Sequence, residues 1–421
     1  MKRCFLFFIY AICCLSIVPT TLAHSGFTGA ETTRNVTTTP DTSIDIPGVK
    51  KIRVLLEEHP DNKETKFLIK SNNGFVLTSP IDSENSAFCH EGELRLLCKK
   101  QRLYMCCADG RYHRIKYQSI EIGDPDNKLT FNGHTYQGSI IIRFDETKQT
   151  TLVINKLPLE DYVYGVVHWE SIPSWPQGMQ KVQAIISRTY AVFLMQQARL
   201  RNPRFKYFDI KNTNLHQVYN GWHNYKSLRR AIDETSNLIL TYKGNIALTM
   251  FDICCGGSIP GKMRNRDVSK PYLCRDQRCT YCKNAPSYQW KEDLHVTNFI
   301  KGLKKAPQLK NRFKKMGAGL ASIKITDTDH SGIVQWIRLV DSNKRTFKLS
   351  GVELRSTFIT RVKSLSFSVK LIRDRIVISG HGHGHQQGMC QWGAKELIDR
   401  GWSVKSILSF YYPGTRLSRL L

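Results

Sequence analysis

Acidic residues are scarce in this chain: 35 Asp and Glu face 62 Lys and Arg among 421 residues, a formal net charge of +27 with His neutral and a sequence pI near 9.6. That deficit calls for an acidic partner, whether nucleic acid, an anionic membrane or a polyanionic cell-wall polymer, and charge alone does not choose among them. Long apolar runs are absent beyond residue 23, so no later stretch supplies the roughly 20 apolar residues of a membrane-spanning helix. Internal repeats and low-complexity tracts are missing too. With 41% hydrophobic and 10% aromatic residues the chain can build a sizeable core, which excludes a disordered basic tail and a collagen-like fibre. The length suits two or three domains.

The long apolar run stands at the start. Lys2 and Arg3 precede the stretch from Cys4 to Val18, broken only by Ser16, and Thr21-Leu22-Ala23 has the small-x-small form of a cleavage site. The pattern predicts a secretory signal peptide over residues 1–23, cut after Ala23, rather than a retained anchor, because the apolar core is shorter than a bilayer needs. Export to the periplasm or cell wall follows, and it argues against nucleic acid as the partner. Residues 24–48, rich in Thr, Ser, Asp, Gly and Pro, read as a solvated linker. Asn35-Val36-Thr37 is a glycosylation sequon of the kind that chance also produces.

Of the 13 cysteines, three leave with the signal peptide. Cys89, Cys98, Cys106 and Cys107 suit two disulfides in an oxidising compartment, in a connectivity that spacing does not reveal. Cys254 and Cys255 stand ahead of Cys274 and the Cys279-x-x-Cys282 pair, with Cys390 alone near the C-terminus. Short loops can turn such thiolates onto one structural zinc ion, with Cys255, Cys274, Cys279 and Cys282 as the ligand set. Disulfides account for the same residues equally well.

The patterning predicts an α+β fold. Residues 49–150 form a β-rich region, with short β-branched runs at Ile52 to Leu56, Phe67 to Lys70 and Gly138 to Phe144. Helical spacing first appears at Leu159 to Glu170, stopped ahead of Pro173. A longer helix follows from Pro176, with Met179, Val182, Ile185, Ile186, Tyr190 and Phe193 on its apolar positions. Another helix is expected near Lys226 to Thr235, then two strands around Lys243-Gly244-Asn245. Strand-like alternation over residues 319–379 leads into a glycine- and histidine-rich loop and a helical pair near Gly393 to Tyr411.

Three segments carry chemistry. Glu170 closes a helix between Trp169 and Ser171-Ile172-Pro173, an apolar setting that would raise its pKa and suit it to general acid work near neutral pH. Lys181 and Arg188 lie two turns apart and share a face of the next helix, where a solvated basic stripe is the plain reading. In Gly380-His381-Gly382-His383-Gly384-His385 the three histidines first suggest metal, yet no carboxylate or fourth ligand completes a hydrolytic zinc site. Alternate glycines instead imply a backbone that something approaches closely, and a glycan strand fits that space.

Leu157 to Glu170 followed by Lys181 to Tyr190 resembles the signature of the stage II sporulation protein D family of lytic transglycosylases. Gln217-Val218-Tyr219-Asn220-Gly221, Cys254-Cys255-Gly256-Gly257, Gly384 to Gly393 and Tyr411 to Thr415 resemble further family motifs in the same order, so the likeness spans residues 151–415 as one catalytic domain. It implies cleavage of peptidoglycan between N-acetylmuramic acid and N-acetylglucosamine, with Glu170 as catalytic acid and base and Lys181 and Arg188 as its basic pair. It also implies Tyr219, Gly256, Gly257, His385 and Gln391 as glycan contacts, no cofactor required for the chemistry, peptidoglycan as partner and a cell-wall amidase as a second. Some family members are amidase enhancers, which keeps a non-catalytic wall-binding module as the alternative, and some bind zinc through Cys and His. The chain departs from the family at Ser171-Ile172, Gln386-Gln387, Cys255 and Cys390. A hydrolysing glycosidase normally needs two carboxyls about 5 to 9.5 Å apart, whereas the chain offers one good candidate. One is enough where the muramic acid C6 hydroxyl is itself the nucleophile.

Overall fold

The computed structural model describes residues 39–421 apart from 62, 80–85, 90, 91, 107–109, 202–206, 214 and 215. The predicted signal peptide, the sequon at Asn35, most of the predicted linker and Cys107 lie outside the described residues. The described residues form one compact unit, built of helices and sheets as an α+β fold. Among the described residues no helix is long and apolar enough to cross a membrane.

The β-rich region makes two sheets. One has seven strands, in the order Ile210–Lys211, Lys51–Pro60, Thr150–Pro158, Ser139–Asp145, Ser119–Gly123, Phe75–Thr78, Ser86–Cys89. The other has six, running from His134–Gln137 through Thr65–Lys70 to Tyr112–Arg114. Phe67, Ile69, Leu94 and Leu129 from the six-stranded sheet and Ile52, Val54, Ile140 and Ile142 from the seven-stranded one share a single core. Ile141, Leu152 and Ile154 point to the other face and pack with Leu55 and Phe208, which is why these strands read as continuous apolar runs rather than alternating ones. The strand Thr150–Pro158 lies between Lys51–Pro60 and Ser139–Asp145, so the β-rich region and the segment that starts at residue 151 share one sheet.

That strand runs directly into helix α1 (Leu159–Glu170), followed by α2 (Gln177–Arg201) and α3 (Lys226–Asp233). Helix α2 is covered on two sides. Ala184, Ala191, Val192 and Met195 join the core of the two sheets, while Met179, Val182, Ile185 and Ile186 join a second core with Leu238, Leu240, five cysteines and the C-terminal helices. Those C-terminal helices are Gln391–Asp399 and Val404–Tyr411. Residues 289–381 form an inserted module with its own core around Phe299, Phe313, Ile337 and Ile376; two three-stranded sheets are packed there with helices Val296–Lys305 and Gly351–Thr357. The patterning identified the module's strands within residues 319–379 but not its first strand, Gln289–His295, nor either of these two helices. Its last strand, Arg375–His381, delivers the glycine-histidine loop back to the cysteine-rich core.

The predicted linker is only partly a linker. Thr42–Ile44 is a strand paired in parallel with Arg416–Leu420, and Asp41 accepts from Lys405 at 2.6 Å. A three-residue strand carries too little pattern to be seen in sequence; its pairing partner lies at the far end of the chain.

Candidate functional site

Helix α1 ends where it must. Pro173 has no N–H to donate and disfavours helical backbone at Ile172, so Ser171 turns extended. Ser171 N and Oγ donate to Val167 O at 3.1 and 2.8 Å, and Gln180 of α2 donates to Ile172 O at 2.7 Å. This corner fixes Glu170 at the last position of the helix.

Two segments then converge on that residue. Val218 N donates to Glu170 Oε1 at 2.6 Å. On either side of Val218, Gln217 is buried and accepts from Tyr162 Oη at 3.1 Å, and Tyr219 is buried and donates to Asn155 Oδ1 at 2.8 Å. The two flanking side chains anchor the loop inward, and that aims the amide between them at the carboxylate. From the C-terminal side, Gln391 Nε2 donates to the backbone carbonyl of Glu170 and to Gln183 Oε1 at 3.2 Å. Burial raises the Glu170 pKa above the ordinary carboxyl value, and the Val218 amide opposes it by stabilising the charged form. Among the described residues no donor reaches Oε2, which is not one of the sealed, unpartnered polar atoms of the interior; that oxygen stays open to an incoming group.

The rim is apolar. Trp169 and Ile172 are 38% and 41% exposed, and Trp392, beside Gln391, packs edge-on against Trp175 with centroids 5.4 Å apart. Neither Trp175 nor Trp392 is among the expected site residues, although Trp392 lies inside the Gly384 to Gly393 motif and follows Gln391 directly.

The other expected site residues fall elsewhere. Lys181 pairs with Glu234 at 2.5 Å. Arg188 is fully buried, holds Glu160 with bonds of 2.8 and 2.6 Å and donates to Leu238 O at 3.0 Å. Neither cation is among the causes of the Glu170 shift, so the pair serves the packing of α2 against α1, α3 and the strand Leu238–Tyr242. Tyr219 is an internal anchor with no exposed face. Gly256 and Gly257 are left-handed at φ +61° and +81°, and the backbone against Gly256 is the chain's own: a Cβ there would lie 2.6 Å from Gly382 N. Cys254 and His383 exchange backbone bonds of 3.1 and 2.7 Å. The crowding that the alternate glycines announced therefore comes from within the protein, not from a ligand. His385 lines a separate cavity of about 550 Å³ with Arg355, Gln387, Asp329 and Trp336. Burial, with Arg355 nearby, pushes its pKa down to about 4, against a backbone bond with Phe251 that favours the charged form.

The cysteines also rearrange. Cys255, Cys279, Cys282 and Cys390 gather with their sulfurs within 4.8 Å of one another, all buried. Cys274 is not among them: it follows the short turn Pro271–Leu273, is half-buried and lies 3.9 Å from Asp267 O. Cys390 takes its place because Phe251–Asp252 pairs in parallel with Met389–Cys390, a contact that spacing along the chain does not reveal. In the β-rich region Cys89 and Cys98 carry free thiols, and Cys98 accepts from Thr151 Oγ1 at 2.8 Å, so the two expected disulfides are not formed there. The loop histidines join no metal-binding cluster among the described residues.

Residues 147–242 match the model of the stage II sporulation protein family. That stretch holds α1, α2 and the Gln217–Gly221 loop, and so both Glu170 and the amide that bonds its carboxylate. Beyond it, the chain is 35% identical over 300 residues to an uncharacterized protein of Brachyspira hyodysenteriae, covering 71% of this chain and 76% of that one. The chain belongs to the stage II sporulation protein D family. It is similar to stage II sporulation protein D of Bacillus amyloliquefaciens at 27% identity, over 63% of this chain and 75% of that protein. It is 28% identical to the amidase enhancer of Bacillus subtilis over 73% of this chain, but spans only 47% of that longer relative. Gln391 and the four clustered cysteines lie outside the family-model match.

Proposed function

We propose that the chain is an exported lytic transglycosylase that cuts peptidoglycan between N-acetylmuramic acid and N-acetylglucosamine, with Glu170 as the single general acid and base. One observation carries this reading: a half-buried carboxyl with raised pKa, one oxygen held by the Val218 amide and the other open beneath an apolar rim. Protonated Glu170 gives its proton to the bridging oxygen as that oxygen's bond to muramic acid C1 breaks. The resulting carboxylate, held by Val218 N–H, takes the proton from the C6 hydroxyl of the same sugar as O6 bonds to C1. The product is a 1,6-anhydro end, no water is consumed and Glu170 finishes protonated. Sugar faces packing on Trp169 and Trp392 would hold C6 close to C1 and keep water out. Glu160, Asp161 and Glu234 are all engaged with cations, which favours a route that needs one carboxyl over hydrolysis with two. No cofactor enters these steps. The net charge of +27 suits anionic stem peptides of the wall rather than nucleic acid in an exported protein.

A second reading, a wall-binding module that stimulates an amidase, draws on the name of the Bacillus subtilis relative. Mass spectrometry of purified sacculi separates the two. Transglycosylase action yields anhydro ends with the native chain and about 10²- to 10⁴-fold fewer with Glu170→Gln. Reducing hydrolytic ends, or equal cleavage by Glu170→Gln, would overturn it. Binding without cleavage favours the module.

A further inference from the structure

The cluster of Cys255, Cys279, Cys282 and Cys390 is not used by the proposed chemistry, yet it is built like a site. The four side chains come from three segments that are distant in sequence, and each is at most 2% exposed. Cys255 Sγ and Cys282 Sγ are 3.7 Å apart. A tetrahedral zinc ion with Zn–S bonds of about 2.3 Å spaces its sulfurs about 3.8 Å apart, whereas a disulfide needs about 2.05 Å. The surroundings favour sulfur that carries negative charge. Cys390 Sγ caps the helix Gln391–Asp399, accepting from Gly393 N at 3.4 Å and from Cys255 N at 3.3 Å. Tyr411 Oη stands 3.2 Å from Cys279 Sγ. Arg275, 3% exposed, interacts electrostatically with Cys255, Cys279 and Cys390 and keeps one guanidinium nitrogen without a hydrogen-bond partner. Arg275 also donates to Gly388 O at 2.7 Å and has the Asp252 carboxyl in electrostatic reach; a tetrathiolate around a divalent ion, net −2, adds to the counter-charge of this buried cation.

We propose that Cys255, Cys279, Cys282 and Cys390 bind one structural zinc ion. The site closes on itself, with four protein ligands and no open position for a substrate. It locks the Cys255-Gly256-Gly257 turn, the Cys279–Cys282 loop and the start of the last helix pair into one unit. Because Gln391 follows Cys390 directly and holds the Glu170 carbonyl, the ion acts as a positioning device for that corner. The zinc site does not depend on the glycan-cleaving reading and stands or falls separately.

The test is metal content of the full chain purified under reducing conditions. The expected result is about one zinc per chain, and loss of that equivalent in Cys390→Ser but not in Cys274→Ser. Since Cys390→Ser could unfold the core, the native chain is also stripped with chelator and titrated with cobalt(II). A tetrahedral thiolate-cobalt spectrum saturating at one equivalent, with recovery of the Tm lost on stripping, supports the site. Absence of metal from the reduced chain, disulfides among these four cysteines in mass spectra of the alkylated protein, or zinc retained in full by a folded Cys390→Ser, overturns it.

Discussion

At the scale of single residues, the Glu170 carboxyl is poised between two opposing influences, burial that favours its proton and the Val218 amide that favours its charge. Burial wins, so the folded chain binds the Glu170 proton more tightly than the unfolded chain does. The resulting stability is fully present below the unfolded carboxyl pKa of about 4.3 and is lost as pH rises through the higher folded value. Glu170→Gln keeps an oxygen for Val218 but removes the charge. Its Tm should therefore equal or exceed that of the native chain at neutral pH, with the difference shrinking in acid, as calorimetry across pH would record. Cleavage of sacculi by the same variant should fall about 10²- to 10⁴-fold, the usual worth of a general acid and base. A variant that lost stability along with activity would show that Glu170 is an anchor and not a proton donor.

The ion pairs that hold the helices make separate predictions at the scale of elements. Arg188 ties α1 to the strand Leu238–Tyr242 from inside the core, and Arg188→Met leaves Glu160 without its cation and Leu238 O without its donor. Breaking a buried pair costs about 3 to 5 kcal/mol; with Glu160 26% exposed, about 2 to 3 kcal/mol is expected in urea unfolding. Lys181 and Glu234 are both partly exposed, so Lys181→Ala should cost under about 1 kcal/mol and leave cleavage within about twofold. A large loss of activity in a stable Lys181→Ala protein would make that lysine a substrate contact instead. Gly165 packs equally tightly: a Cβ there would lie 2.6 Å from Tyr219 and 2.8 Å from Gly221 O. Gly165→Ala should therefore destabilise the chain by about 1 to 3 kcal/mol despite alanine's better helix propensity, and it should do so by displacing the loop that carries Val218.

Across the whole molecule the positive charge is spread over a surface far larger than the site. Long-range attraction to an anionic wall is then a screened, additive effect, and retention on purified sacculi should decline steadily with added salt, becoming weak near 1 M where the screening length is about 3 Å. Salt-independent retention would move the affinity from charge to the aromatic rim. The layout also explains how distant motifs meet. The sheet strand Thr150–Pro158 feeds α1, the inserted module returns the chain at His381, and the parallel pair Phe251–Asp252 with Met389–Cys390 brings the Gly384 to Gly393 motif beside the Cys254 to Gly257 motif.

Local pattern determined a good deal. Leu159 to Glu170 announced its helix through apolar spacing and its end through Pro173, the Lys243-Gly244 turn announced a hairpin, and the ordered motifs identified the family. These are signals written within a dozen residues, where backbone sterics and one face of burial dominate. The rest was decided by tertiary structure. That Lys181 and Arg188 face Glu234 and Glu160, that Gly256 makes room for Gly382, that Gln391 holds a backbone carbonyl and that Cys390 replaces Cys274 among the clustered thiols all depend on which segments pack together. Such pairings are settled by burial and long-range strand register, to which residue spacing along the chain is blind.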